Sequence, residues 1–156
     1  TQSFEIINST KLSVHELPSR ASYRIKKGDI ITAVAGNATG TKKHATAYVT
    51  EEFENNICTN GFRVLRNIKI NPFYLLYYFK SDLFLKQVYM YRTGAAIPAI
   101  SDGDFSNILI YLPSQDKIDE IGMSIMESFE LREKAKMKVI ETEAKFNVNK
   151  MLDLEL

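Results

Sequence analysis

Gly36-Asn37-Ala38-Thr39-Gly40-Thr41-Lys42-Lys43 comes closest, in residue type, to a phosphate-binding loop. A nucleotide-cradling loop needs four residues between its glycines and then Gly-Lys-Ser/Thr directly, so that backbone amides converge on the phosphates. Here three residues separate the glycines, and Thr41 intervenes before the first lysine. The nucleotide reading fails on that spacing. What remains is a donor-rich loop of small residues ending in two cations and His44. Glycines and small polar side chains let backbone approach a duplex closely. Lys42 and Lys43 could then pair with phosphates, while Asn37, Thr39 or Thr41 reach base edges. The same composition also suits an ordinary hairpin loop.

Other chemistry finds less support. Asn71-Pro72-Phe73-Tyr74 resembles the Asn-Pro-Pro-Tyr/Phe motif with which amino-methyltransferases hold a target amine, but Phe73 stands where the second proline belongs. No glycine-rich loop for S-adenosylmethionine accompanies it, and the segment reads better as an N-capped helix start. His15, His44 and Cys58 are the only histidines and the only thiol, too few for a His/Cys metal cluster. Glu143-Ala144-Lys145 has the nuclease-like Glu-x-Lys form, yet it lies in a charged helical stretch without a preceding aspartate strand. No catalytic residue, cofactor or metal is therefore expected. Cys58 reads as a small buried residue.

The elements that would position the loop divide into two parts. From about 20 to 70 the pattern is strands and turns. Asp29-Ile30-Ile31-Thr32-Ala33-Val34 is a β-branched run after a Lys-Gly-Asp turn, and Ala47-Tyr48-Val49-Thr50 and Gly61-Phe62-Arg63-Val64-Leu65-Arg66 follow in kind. One helix then starts at Asn71-Pro72, with Phe73, Leu76, Phe79, Leu83 and Val88 at helical spacing, and ends near Gly94. Ile108 to Leu112 reads as a short apolar strand stopped by Pro113. Ser114 opens a long charged helix whose stripe is Ile118, Ile121, Ile125 and Phe129. A second stripe, Met126, Met137, Ile140, Ala144 and Met151, fits a heptad register only with Glu130, Glu133 and Asn147 on the seam. A helix from about 115 to 146 would be roughly 45–50 Å long. It is too long and too charged to be covered by so small a head, so a partner is expected, either another copy or another segment.

At 156 residues, 45% hydrophobic and 25% charged, the chain is of ordinary globular composition. No apolar run approaches the roughly 18–20 residues that span a bilayer. Thr1-Gln2-Ser3-Phe4-Glu5-Ile6-Ile7 lacks the basic and apolar regions of a signal peptide, and a single cysteine fits a reducing cytosol. The net charge of +1 hides an asymmetry: residues 1–100 carry 13 Lys/Arg against 7 Asp/Glu, and residues 101–156 carry 7 against 12. Between Arg20 and Lys43 the cations Arg20, Arg24, Lys26, Lys27, Lys42 and Lys43 face only Asp29. Such a segment forms either a solvated face or a phosphate-binding surface.

Two signatures in fixed order carry a family resemblance. The first is Ile25-Lys26-Lys27-Gly28-Asp29-Ile30-Ile31. The second is Tyr91-Arg92-Thr93-Gly94-Ala95-Ala96-Ile97-Pro98-Ala99-Ile100-Ser101, then Ile108-Leu109-Ile110-Tyr111-Leu112-Pro113 and the charged helix. Together, over about residues 20 to 140, they resemble the target-recognition module of a type I restriction–modification specificity subunit. The family's usual close, Ile-Pro-Leu-Pro-Pro and then Glu-Gln, here reads Ile110-Tyr111-Leu112-Pro113-Ser114-Gln115-Asp116. That departure fits equally a recognition domain fused to an adenine methyltransferase.

The resemblance implies an α+β fold with a compact head, residues 1–113, bearing a twisted and mostly antiparallel sheet. It implies a coiled-coil-type helix, residues 114–156, for spacing, dimerisation and subunit docking. It also implies that the loop after the Lys-Gly-Asp strand faces DNA, as do Arg92 and Thr93, whose matching turn lies on the DNA side in the family. The expected contact set is Arg20, Arg24, Lys27, Asn37, Thr39, Thr41, Lys42, Lys43, His44, Arg92 and Thr93, while Tyr77, Tyr78, Tyr89 and Tyr91 are left with the core. Expected partners are double-stranded DNA, an adenine methyltransferase (modification) subunit, a restriction or translocase subunit, and a second copy or second recognition domain. The expected setting is the cytoplasm, with no membrane. Because the chain opens mid-pattern, it reads as part of a longer polypeptide. The alternatives are the recognition domain of a single-chain methyltransferase or restriction–methylation fusion, and a helical assembly protein without DNA readout.

Overall fold

The computed structural model describes residues 4–6, 9, 10, 13, 15 and 20–146. The Ile30-to-Val34 run forms a central strand, β2 (Ile30–Ala33), between β3 (Thr46–Tyr48) and β5 (Phe62–Leu65), all antiparallel. A separate ladder pairs β1 (Ala21–Arg24) with β4 (Ile57–Thr59), also antiparallel. All four β2 residues are buried because both faces of its sheet are covered, which explains a continuous apolar run in place of alternation. Ile30 faces a cluster with the helices, and Ile31 faces a second cluster with Ile25, Ala47, Val49, Phe53 and Cys58. Burial among those side chains pushes the Cys58 thiol pKa up.

Asp29 of the Lys-Gly-Asp signature has a structural task. It is almost fully buried, and its carboxylate accepts from Arg66 Nε at 2.9 Å and Nη2 at 2.6 Å, and from the Lys26 amide at 2.8 Å. The bidentate pair ties the entry of β2 to the exit of β5.

The expected single helix is two. In α1 (Pro72–Tyr78), Asn71 caps the start by accepting from the amides of Phe73 and Tyr74. The chain turns at Phe79 and Lys80, and Ser81 Oγ caps α2 (Asp82–Tyr91) by accepting from the Phe84 amide. This break rotates the apolar stripe, so Leu83 is exposed while Phe84, Leu85 and Val88 are buried. Ile108 to Leu112 has no regular secondary structure and pairs with no strand among the described residues. Leu109 and Tyr111 carbonyls instead accept from the hydroxyls of Tyr78 and Tyr74, and Gln87 bridges the backbone of Leu109.

After the short α3 (Asp102–Ser106), α4 runs from Gln115 to Lys145. Its stripe packs on the head as expected: Ile118 and Phe129 are buried, and Ile121 and Ile125 are half-buried in the helical cluster. Tyr48, Phe73 and Phe129 meet with ring centroids 4.9–5.9 Å apart, where β3, α1 and α4 converge. Residues 133–146 are all exposed, including Met137, Val139 and Ile140, while Asn147 and Met151 of the expected second stripe lie outside the described residues. Among the described residues no helix is long and apolar enough to cross a membrane.

Candidate nucleic-acid interface

Loop 36–45 joins β2 to β3 and is held from inside. Each of its turns closes on backbone, with Thr39 N–H donating to Gly36 O and Thr41 N–H to Ala38 O at 3.0 Å, and His44 N–H to Thr41 O at 2.8 Å. His44 is wholly buried, not solvent-facing as expected. The Gly40 amide donates to its Nδ1 at 3.0 Å, so the neutral ring carries its proton on Nε2, 2.8 Å from Thr32 Oγ1, which lies 2.9 Å from Thr46 Oγ1. Its edge meets Phe84 with centroids 5.5 Å apart. Thr39 is likewise buried. These two residues leave the candidate surface: the His44 ring anchors the loop from inside, and Thr39 is held through its backbone, its buried hydroxyl having no hydrogen-bond partner among the described residues.

Burial, and then the positive charge of Lys80, lower the His44 pKa to about 4. An unfolded chain takes that proton near 6.5, so the unfolded state binds more protons between those values. Stability contributed by the neutral ring is therefore full above about 6.5 and lost as pH falls toward 4, on the order of 3 kcal/mol in all. Urea unfolding at pH 7 and pH 4.5 should show wild type losing more stability than His44→Gln over that interval. Equal losses would mean His44 is not held neutral.

The loop is also clamped from outside. Arg92 Nη1 donates to the Thr39 carbonyl at 2.7 Å, with its guanidinium 3.8 Å above the Tyr89 ring. Lys80 Nζ donates to the His44 carbonyl at 2.8 Å. Gly40 has φ +74°, and a Cβ there would lie 2.7 Å from the Tyr89 nitrogen, so only glycine lets the loop press on α2. Arg92 is thus half-buried and serves partly as a brace. Tyr78 belongs to the core as expected, but Tyr77, Tyr89 and Tyr91 are exposed.

A second loop joins the first. Ala99 bridges both Ala35 and Thr93, and the Gly36 amide donates to the Pro98 carbonyl at 2.9 Å. Loops 36–45 and 93–99 therefore form one platform at one end of the sheet. Arg20 reaches the same end, because Asn60 N–H donates to its carbonyl and Val34 N–H to that of Gly61. Arg24 and Lys27 lie at the opposite end, where Arg24 donates to the Asn55 carbonyl and Lys27 pairs with Glu51 at 2.8 Å.

On the platform Asn37, Lys42, Lys43 and Thr93 are exposed and Thr41 is half-buried. Among the described residues Lys42 and Lys43 form no ion pair, in contrast to Lys27, Arg63 and Arg66. Lys86 of α2, not singled out from sequence, lines an open cleft of about 430 Å³ with Lys42, Asp82, Leu85, Tyr89 and Met90. Its i, i+3 spacing to Tyr89 was the available signal. Cations outside any ion pair among the described residues, small donors and a preset backbone together suit the phosphates and groove edges of a duplex.

Comparisons with known proteins bear on the fold and the family. No curated protein matches the chain. Its structure is similar to the HsdS subunit from Thermoanaerobacter tengcongensis, with TM-score 0.63 and 26% identity over 93% of this chain and 37% of that one. It is also similar in fold to a chain in a structure concerned with complex assembly and conformational transition of the type I R-M system, with TM-score 0.65 and 24% identity over 96% and 38%. The chain thus spans little more than a third of the length of these solved proteins. Residues 3–142 match the family model described as type I restriction modification DNA specificity domain, and the chain belongs to that family.

Proposed function

We propose that this chain is one recognition head, with its connecting helix, of a type I restriction–modification specificity protein. The head reads one half of a split duplex target through the platform of loops 36–45 and 93–99. The observation that carries this reading is the meeting of those loops at one sheet end, where Lys42 and Lys43 stand without acidic partners among the described residues. Arg20, Asn37, Thr41, Arg92 and Thr93 belong to the same surface. Arg24 and Lys27, at the far end, are left out.

In this reading the chain does no chemistry and needs no cofactor. A modification subunit, working in the cytoplasm, methylates adenine after taking it out of the stack. The solvent-facing half of α4, with Met137, Val139 and Ile140 exposed, suits docking to a second recognition domain or second copy, and to modification and restriction subunits.

Selection from a randomised duplex pool at low salt, followed by sequencing of the retained DNA, tests the reading. A short fixed motif is the expected result. Retention without enrichment would leave only a basic surface, and no retention would favour the assembly role.

A further inference from the structure

Loop 93–99 carries a feature that phosphate binding leaves unused. Thr93 and Ala99 exchange both backbone hydrogen bonds at 2.8 Å, closing Gly94-Ala95-Ala96-Ile97-Pro98 into a tight tip. Gly94 sits at φ +94°, where a Cβ would lie 3.0 Å from the Ile97 carbonyl oxygen. Pro98 fixes its own φ and restricts Ile97 to extended backbone. The tip is therefore set before any ligand arrives. Yet it presents only apolar groups: Ala95 and Ala96 are exposed, and Ile97 is 69% exposed.

A large aliphatic side chain held out on a braced loop contributes nothing to the core. With no donor or acceptor on them, the side chains of the tip can meet base edges only through apolar contact. The apolar feature that a duplex offers in its major groove is the thymine C5-methyl group. Loop 93–99 is bonded through Ala35, Gly36 and Pro98 to the loop carrying Lys42 and Lys43, so phosphate contacts there would bring the tip to the groove. Little ordering cost would then be incurred on binding.

Resting on the recognition role proposed above, we infer that Ile97 packs against a thymine methyl group and thereby fixes an A·T pair at one position of the target. The full-length protein, assembled with its modification subunit, is the material for the test. Once selection has defined the motif, each thymine is replaced in turn by deoxyuridine, which lacks only that methyl. At one position the replacement should weaken wild type about three- to fivefold, the worth of one buried methyl-sized group. Ile97→Ala, a substitution at an exposed site, should bind thymine and deoxyuridine alike there.

A deoxyuridine penalty that persists in Ile97→Ala, or no penalty at any thymine, would overturn the inference. So would an Ile97→Ala variant that weakens all sequences equally and abolishes a 2-aminopurine fluorescence rise at a base step, because that would mark insertion between bases. A wild type without a fixed motif overturns the recognition reading itself, and this shows before any deoxyuridine is introduced.

Discussion

Replacing Gly122 with alanine should destabilise the protein by about 1–3 kcal/mol, although alanine is favoured over glycine by about 1 kcal/mol in a helix. Gly122 is buried where α4 crosses the start of α1, and a Cβ there would run into the side-chain amide of Asn71. That amide oxygen is the N-cap of α1, accepting from two amides. The alanine therefore either displaces the cap, itself worth about 1 kcal/mol, or pushes α4 off α1. Thermal or urea unfolding measures the loss, and a cycle with Asn71→Gly separates its causes. With the asparagine side chain gone, the Gly122→Ala step should become neutral or stabilising. A single variant as stable as wild type would mean that the helices do not cross in contact at this position.

Charge reversal of Lys42 and Lys43 together should weaken binding to every duplex sequence on the order of a hundredfold at moderate salt. Both side chains are exposed, neither has an acidic partner among the described residues, and the backbone carrying them is braced by Arg92, Lys80 and His44. The loss should be uniform, because phosphate contacts position a protein without carrying sequence information. The slope of log affinity against log salt should become shallower by roughly 2, about 0.9 for each phosphate contact removed. Titrations of Lys42→Glu/Lys43→Glu at several salt concentrations, against the selected motif and a scrambled duplex, measure both quantities. Unchanged affinity would remove loop 36–45 from the interface.

Residues whose role depends on near neighbours were legible in the sequence. The Asn71-Pro72 helix start and the Ile118-to-Phe129 stripe appear as expected, because capping and helical periodicity are local properties. The two-signature resemblance correctly named the family. What sequence did not reveal depends on distant contacts. The helix break at Ser81 is the exception: it rests on a local hydroxyl cap, masked by an otherwise continuous apolar pattern. Ile108 to Leu112 has the composition of a strand, but tyrosine hydroxyls on α1 take the place of a neighbouring strand. His44 and Thr39 looked like interface residues because polar side chains in a basic loop usually face water. The burial of His44 depends on Thr32, Thr46 and Phe84, brought in by the tertiary fold. The tie between loops 36–45 and 93–99 joins residues far apart in the chain, so composition alone could not place it.

The double covering of β2 bears on how the molecule opens. Ile30 belongs to the helical cluster and Ile31 to the cluster under the β1–β4 ladder, so the strand is a party wall between two rooms. Melting either room leaves the other still gripping one side of that wall. The β1–β4 ladder, on the smaller cluster, can detach in a partial opening that spares the helices. Amide hydrogens of β2 should exchange only through complete unfolding, while those of Tyr23 and Cys58 exchange sooner. Loop 36–45 leaves the wall at the end where Ala99 bridges Ala35, so the platform of loops 36–45 and 93–99 would keep its shape through such openings.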